Sequence, residues 1–475
     1  MDLERWVGQA VAANREWAAG FGPSDPHPSL QVSDERFGAA FAEFTERLAD
    51  NYPFFHPRYA GQMLKPPHPA AVTGYLAAML VNPNNHALDG GPATARMERE
   101  VTAQLAAMFG FGSHLGHLTT SGTIANLEAL FVSRELHPGR GIAYSADAHY
   151  THSRMCGLLG VEGHQVAADR HGRMDLGALE ELLRTGRVGT VVLTAGTTGL
   201  GAIDPIHEAL GVCQRHGARI HVDAAYGGFF TILARAEGAR EHSAEGAQQH
   251  SAEGAQDDAA EGWLPAAPWR AIAECDSVVV DPHKHGLQPY GCGAVLFRDP
   301  GVARFYLHDS PYTYFTSADL HLGEISLECS RAGAAAAALW LTFRLLPPTA
   351  DGLGQVLAAG RRAALTWSAL IGKSDALELY QAPELDIVSY FPVTEPAALS
   401  RIDQASERIL QAGMTAADPV YLSTLRAGAG DFLARHESVH ADAAGARILR
   451  SVLMKPEAET YVPHLHERLE QLARG

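Results

Sequence analysis

Lys284 stands between two histidines in VVVDPHKHGL (residues 278–287), at the point where an apolar run stops. Val278, Val279 and Val280 read as a buried strand, and Asp281-Pro282 end it. An amine fixed at the end of a core strand can act as a nucleophile in Schiff-base chemistry. Most lysines, by contrast, are solvated surface residues. Three other stretches carry side chains of comparable interest. In TTSGTIANL, Ser121, Gly122 and Thr123 lie between a strand and a helix start. There a glycine permits close backbone approach, and first-turn N–H groups suit a phosphate. A plain N-cap by Ser121 or Thr123 accounts for the same residues. HVDAAYGG ends a strand on Asp223, whose carboxylate can cap a helix, bind a metal or pair with a protonated ring nitrogen. DAHYTHSR spaces His149 and His152 three apart, which fits two metal ligands on one helix face. It also fits an imidazole at 149 stacked on a planar ligand, or a lone surface histidine. No matching acidic or third histidine ligand accompanies the pair, so no metal is expected. Each feature alone has an ordinary structural explanation. Together, a phosphate cradle, an anionic partner for a pyridinium, a flat-ring stacker and a lysine describe a site for pyridoxal 5′-phosphate.

The elements that would position these groups alternate. Apolar strands are expected at 115–120, 141–145, 190–196, 218–225 and 277–282. Helices are expected between them at TIANLEALFVSREL, DLGALEELLRT and PIHEALGVCQRHG, after a strong helix in ATARMEREVTAQLAAMFGF with Met97, Val101, Leu105 and Met108 at helical spacing. This alternation predicts an α/β fold with a mostly parallel sheet covered by helices, and a ligand site outside the carboxyl ends of the strands. Strands at 385–391, 419–427 and 447–454 predict a smaller α+β unit. The expected division is a helical segment over 1–65, a large domain over 66–345 and a small domain over 346–475. Residues 236–262 repeat with a period of eight around Glu-Gly, which predicts a solvated insertion. Its His242 and His250 lack a second ligand type.

Bulk properties exclude several classes. A net charge of −17 argues against nucleic acid and anionic membrane as partners. The five cysteines are scattered without a C-x-x-C pair, which points away from a disulfide framework and toward a reducing compartment. MDLERWVGQAVAANREW reads as an amphipathic helix rather than a signal peptide, and a cytoplasmic location is expected.

The order of the motifs TSGTIANL, AHYTHSR, LTAGTTGLGAIDPI, HVDAAYGG and DPHKHG resembles that of the group II pyridoxal-phosphate-dependent amino acid decarboxylases. That family includes the aromatic amino acid, tyrosine and glutamate decarboxylases. The likeness continues in SLECSRAGAAAAALWLTFRLL and LRSVLMKPE and covers roughly residues 50 to 460. The resemblance implies fold type I, with a seven-stranded large domain and a homodimer whose N-terminal segments embrace, placing the site at the interface. It further implies that Lys284 forms the internal aldimine, Asp223 holds the pyridine nitrogen protonated, and His149 stacks on the ring opposite Ala225. Ser121, Gly122 and Thr123 would bind phosphate with His283 beside it, and Thr198 would lie near the ring substituents or His149. The reaction implied is α-decarboxylation of an L-amino acid through a quinonoid. A tyrosine would return the proton: Tyr306 before Tyr312 or Tyr314. Arg450 and Arg331 are candidates for a substrate carboxylate, and Gln62 for a substrate-side amide. Phe54, Phe55, Tyr312, Tyr314 and Phe315 would suit an aromatic substrate, while Gln62, Arg331 and Arg450 would suit an acidic one. A carbon–carbon lyase or cysteine desulfurase-like enzyme, an oxygen-using aldehyde synthase and a non-catalytic pyridoxal-binding protein are the competing readings. His285 has no assigned role.

Overall fold

Short runs of Val, Ile and Leu, bounded by Gly and polar residues, build the central sheet. The computed structural model describes residues 1–236, 263–306 and 325–475. Among these, β1 (Leu115–Thr119), β2 (Gly141–Ser145), β3 (Gly163–Val166), β4 (Val188–Thr194), β5 (Arg219–Asp223), β6 (Ser277–Val280) and β7 (Gly293–Phe297) form one sheet in the order β1-β7-β6-β5-β4-β2-β3. Pairing is parallel from β6 through β3, and β7 runs antiparallel to both neighbours. The sheet is therefore mostly parallel, as the alternation predicts, and seven-stranded, as the family resemblance implies. Strands β4, β6 and β7 are buried at every position, which is how a sheet covered on both faces reads.

Helices α4 (Pro92–Phe109), α5 (Gly122–Leu136) and α6 (Thr151–Leu159) follow from local signals. Pro92 opens α4, and Gly110 closes it in the left-handed region at φ 87°. Val101, Leu105 and Met108 of α4 are buried, while Met97 is half-buried. Ser121 caps α5 by accepting a hydrogen bond from Ile124 N–H.

A second, antiparallel sheet has the order β10-β11-β9-β8, from β8 (Leu377–Gln381), β9 (Ile387–Pro392), β10 (Ser423–Gly428) and β11 (Gly445–Val452). The structure adds β3, β7 and β8 to the strands expected from sequence. Strand β10 also begins at Ser423, so the stretch from 419 to 422 precedes the sheet. All five cysteines are free, and four are buried. No helix among the described residues is long and apolar enough to cross a membrane.

The N-terminal helices α1 (Leu3–Ala19) and α2 (Asp34–Leu48) have no buried residue. Phe37, Phe41 and Phe44 project from α2 at more than half of full exposure, and Trp17 and Phe21 do so at the end of α1. The period-eight repeat lies outside the described residues except for Ala236.

Candidate active site

Parallel strands end on one edge of the sheet, so residues far apart in sequence meet there. Ser121, Gly122 and Thr123 follow β1, His149 follows β2, and Thr198 follows β4. Asp223 ends β5 with Ala225 just beyond, and His283 and Lys284 follow β6. All nine line a single cavity of about 230 Å³. A second cavity of about 670 Å³ shares His149, Tyr150 and Thr198 with it and extends toward the small sheet.

The tight loop after β6 explains how Lys284 is held. A Cβ on Gly286 would lie 2.6 Å from Pro282 Cα, so only glycine lets the chain turn this closely. His283 Nδ1–H donates to the Cys292 carbonyl (2.8 Å), tying the loop to the start of β7. His285 is buried on the other side: its Nδ1 meets the Tyr226 carbonyl at 2.8 Å and its Nε2 meets Asp386 Oδ2 at 2.8 Å. The Tyr226 hydroxyl donates to the other oxygen of Asp386. His285 thus fastens the lysine loop to the residue that precedes β9. Lys284 Nζ lies 3.0 Å from Asp281 Oδ2.

Asp223 is almost fully buried. Burial alone would raise its pKa, but the hydrogen bond and charge of His152, the charge of Lys284 and the Ala225 N–H outweigh it. The carboxyl is held well below the usual carboxylate range. Burial lowers the His149 pKa, with Lys284 and His152 adding to the shift against Asp223 and Asp281. His149 Nδ1 lies 2.7 Å from Thr151 Oγ1. A neutral imidazole beside an ionised carboxylate suits a flat, positively charged ring between them.

The cavity fits pyridoxal 5′-phosphate on three counts. A Cβ on Gly122 would lie 2.7 Å from Asp281 Oδ2, so glycine opens the cradle at the start of α5. The first-turn N–H groups of α5 have no carbonyl of their own helix to bond. Thr194 Oγ1 and Asp281 Oδ1 line the cavity, buried and without a protein partner among the described residues.

Several expected residues lie elsewhere. Tyr306 is buried against His117, Phe131 and Phe297, and its hydroxyl donates to the Glu128 carbonyl at 3.4 Å. The aromatic cluster that fixes it keeps it off the cavity wall. Tyr312, Tyr314 and Phe315 lie outside the described residues. Arg331 is buried, ion-paired to Glu98 at 2.8 Å and bonded to the Leu118 carbonyl; it joins α4 to β1 and faces no cavity described above. Phe54 packs on Tyr59 and Tyr52, and Phe55 is exposed. Gln62 and Arg450 do line the larger cavity. Arg450 spends three donors on the protein: to the carbonyls of Gly199 (2.8 Å) and Thr198 (2.5 Å) and to Ser423 Oγ (3.2 Å). Among the described residues, no group of three or more His, Cys, Asp or Glu could hold a metal ion.

Sequence reasoning did not assign Asp281, Asn126, Tyr226 or His152 to this site, although the first three line it. His152 Nε2–H donates to Asp223 Oδ2 at 2.8 Å, a contact that its three-residue spacing from His149 does not reveal.

Residues 54–240 match the family described as the pyridoxal-dependent decarboxylase conserved domain. The span runs from before the phosphate cradle to beyond Asp223 and stops short of Lys284. The chain is 28% identical over 445 residues to an L-tyrosine decarboxylase of Enterococcus faecium, covering 74% of this chain and 71% of that protein. It is 26% identical over 368 residues to an L-aspartate decarboxylase of Thermococcus kodakarensis, covering 76% and 86% respectively. The crystal structure of mouse CSAD superposes with a TM-score of 0.76 at 23% identity, covering 99% of this chain and 98% of that one.

Acid should loosen the floor of this site. Burial pushes the pKa of His221, which is bonded to Asn126 and Ser277, down from 6.5 to about 3. The unfolded chain therefore binds the proton first: the contribution is complete above pH 6.5 and is lost as pH falls toward 3. Urea midpoints should drop below neutral pH, with His221 costing about 1.4 kcal/mol per pH unit. A His221→Gln variant should show a shallower slope, and an unchanged slope would count against this assignment.

Proposed function

We propose that this chain, whose residues 54–240 match the pyridoxal-dependent decarboxylase conserved domain, removes the α-carboxylate of an L-amino acid with a polar side chain, with Lys284 tethering the cofactor. The observation that carries the reading is the convergence of nine side chains and backbone groups from five strand ends on one cavity. Pyridoxal 5′-phosphate, when bound, supplies an electron-accepting ring that withdraws the electrons of the breaking Cα–carboxylate bond.

The chain's own residues do the rest. The Lys284 amine would tether the cofactor through its carbonyl carbon. Asp223, kept ionised, would accept the ring N–H of the bound cofactor and so keep the ring an effective acceptor. His149 and Ala225 confine the ring, and N–H groups at the start of α5, with the hydroxyls of Ser121 and Thr123, receive the phosphate. Arg450 braces the Thr198–Gly199 turn and offers its remaining N–H groups to a substrate carboxylate, with Gln62 nearby. Tyr306 lines neither of the two cavities.

The wall beyond Arg450 carries Arg426, Arg435, Asp147 and Asp431. That mixture of charge supports a polar side chain over an aromatic one. The family match does not favour the carbon–carbon lyase or the non-catalytic alternative. A second copy of the chain would cover the apolar side of α1 and α2, since a stable monomer rarely leaves such a row of aromatic side chains in water.

Four outcomes test the proposal. Carbon dioxide and the matching amine should form from a polar member of a panel of L-amino acids, without oxygen uptake. A preference for tyrosine would sink the side-chain assignment, and stoichiometric oxygen uptake would indicate an aldehyde synthase. Lys284→Ala should lose the visible absorption of bound cofactor together with turnover; retention of both would refute the tether. Arg450→Lys keeps the charge but loses the planar fork, so KM should rise by roughly tenfold or more with the cofactor band intact. Sedimentation should show a dimer that the pair Phe37→Asp and Phe41→Asp converts to monomer; a monomeric parent protein would remove the dimer from the proposal.

A further inference from the structure

Helix α6 delivers His152 to Asp223, and His152 itself is not part of the cavity lining. Its side chain is fully buried, and that of Asp223 is 6% exposed. Among the described residues the carboxylate has two hydrogen-bond donors: His152 Nε2–H on Oδ2 at 2.8 Å and Ala225 N–H on Oδ1 at 3.1 Å. A carboxylate only accepts, so the imidazole hydrogen sits on Nε2. That leaves Nδ1, which is buried and has no hydrogen-bond partner among the described residues. A phenylalanine would fill the space, against the Tyr144 ring 6.2 Å away, without burying an unpaired nitrogen. Packing alone therefore does not account for a histidine here.

We propose that His152 is a positioning residue: its Nε2–H fixes the Asp223 carboxylate and thereby governs how firmly the cofactor's ring nitrogen keeps its proton. The inference rests on the proposed pairing of Asp223 with that nitrogen. Without the donor, a carboxylate desolvated in this site has the Ala225 N–H as its remaining protein partner and becomes the stronger competitor for the ring proton. His149, Lys284 and His221 also face this pair electrostatically, and Asp281 acts on His149 beside it. Of these, Lys284 favours the ionised carboxylate but is the group engaged in binding cofactor, which leaves His152 as the constant partner.

The test uses holoenzyme carrying pyridoxal phosphate labelled with ¹⁵N in the ring. In the parent enzyme the label should report a protonated nitrogen, and in His152→Phe an unprotonated one. A ring without its charge withdraws less from the nitrogen linked to Lys284, so the pH midpoint of the visible band should move upward. The turnover number should fall by roughly tenfold per unit of lost proton affinity, with KM little changed. His152→Gln, which keeps a donor amide, should recover most of the parent's spectrum. A His152→Phe enzyme with the parent's ¹⁵N shift and band midpoint overturns the proposal. If that variant does not fold, His152→Gln is compared with the parent, where loss of the parent's ¹⁵N signature overturns donor-based positioning. In the unmutated protein, the His152 ring N–H resonance should also move on adding cofactor, and an unmoved resonance overturns the proposal. A visible band that is missing from the parent, or that survives in Lys284→Ala, refutes the assignment of Lys284 instead and is thereby distinguishable.

Discussion

Parallel pairing is the constraint from which the site follows. Thr194 stands opposite Asp223, and Asp223 opposite Val279, in adjacent parallel ladders. Once β4, β5 and β6 run side by side in one direction, their carboxyl ends must open on the same edge. The turn after β4, the acid that ends β5 and the lysine after β6 then become neighbours without any contact needed to recruit them. The antiparallel strand β7 contributes differently: it returns the chain so that Cys292 meets His283. The sheet thus sets the positions, and short hydrogen bonds set the orientations.

The charges in the site are arranged in opposition. Asp281 lies beside Lys284, and Asp223 lies beside His152. Each buried carboxylate has a cationic or donor partner, as the cost of burying an uncompensated charge requires. Farther out, Glu98 and Arg331 follow the same rule, with Asn85 Nδ2–H donating to the second Glu98 oxygen at 2.6 Å. That cluster secures α4 to β1 and so supports the segment leading into α5. An arginine near a site in sequence therefore turns out to serve the scaffold.

How much of this was legible in the sequence depended on distance along the chain. Strand β6 carries three consecutive valines, β4 carries Val191-Val192-Leu193 and β5 sets Ile220 and Val222 between polar residues, and reading them places Asp223 and Lys284 at strand ends. Strand β3 is an edge strand written GHQV, half in water, with no apolar pattern to notice. Strand β8 alternates, and β7 is only five residues long. The nine residues assigned to the cofactor were found through motif chemistry and family likeness, and they do converge. Tyr306 packs on Phe131 and Phe297, and an aromatic residue before a loop has the same local signature whether it reaches a ligand or fills such a cluster. The bond between His152 and Asp223 spans 71 residues, and that between His285 and Asp386 spans 101. Nothing local announces either one.

The clasp of His285 on Asp386 bears on how such a protein can be rebuilt. Its lysine loop belongs to the large sheet by sequence but is gripped by an acid that introduces the small one. The two sheets are therefore not interchangeable modules. A recombinant that joined this large sheet to a relative's C-terminal portion would keep His285 and Tyr226 and would need an acid at the position of Asp386 to hold the loop in place. The workable crossover points are those that inherit all three residues from one parent, and the apparent seam between the sheets is not among them.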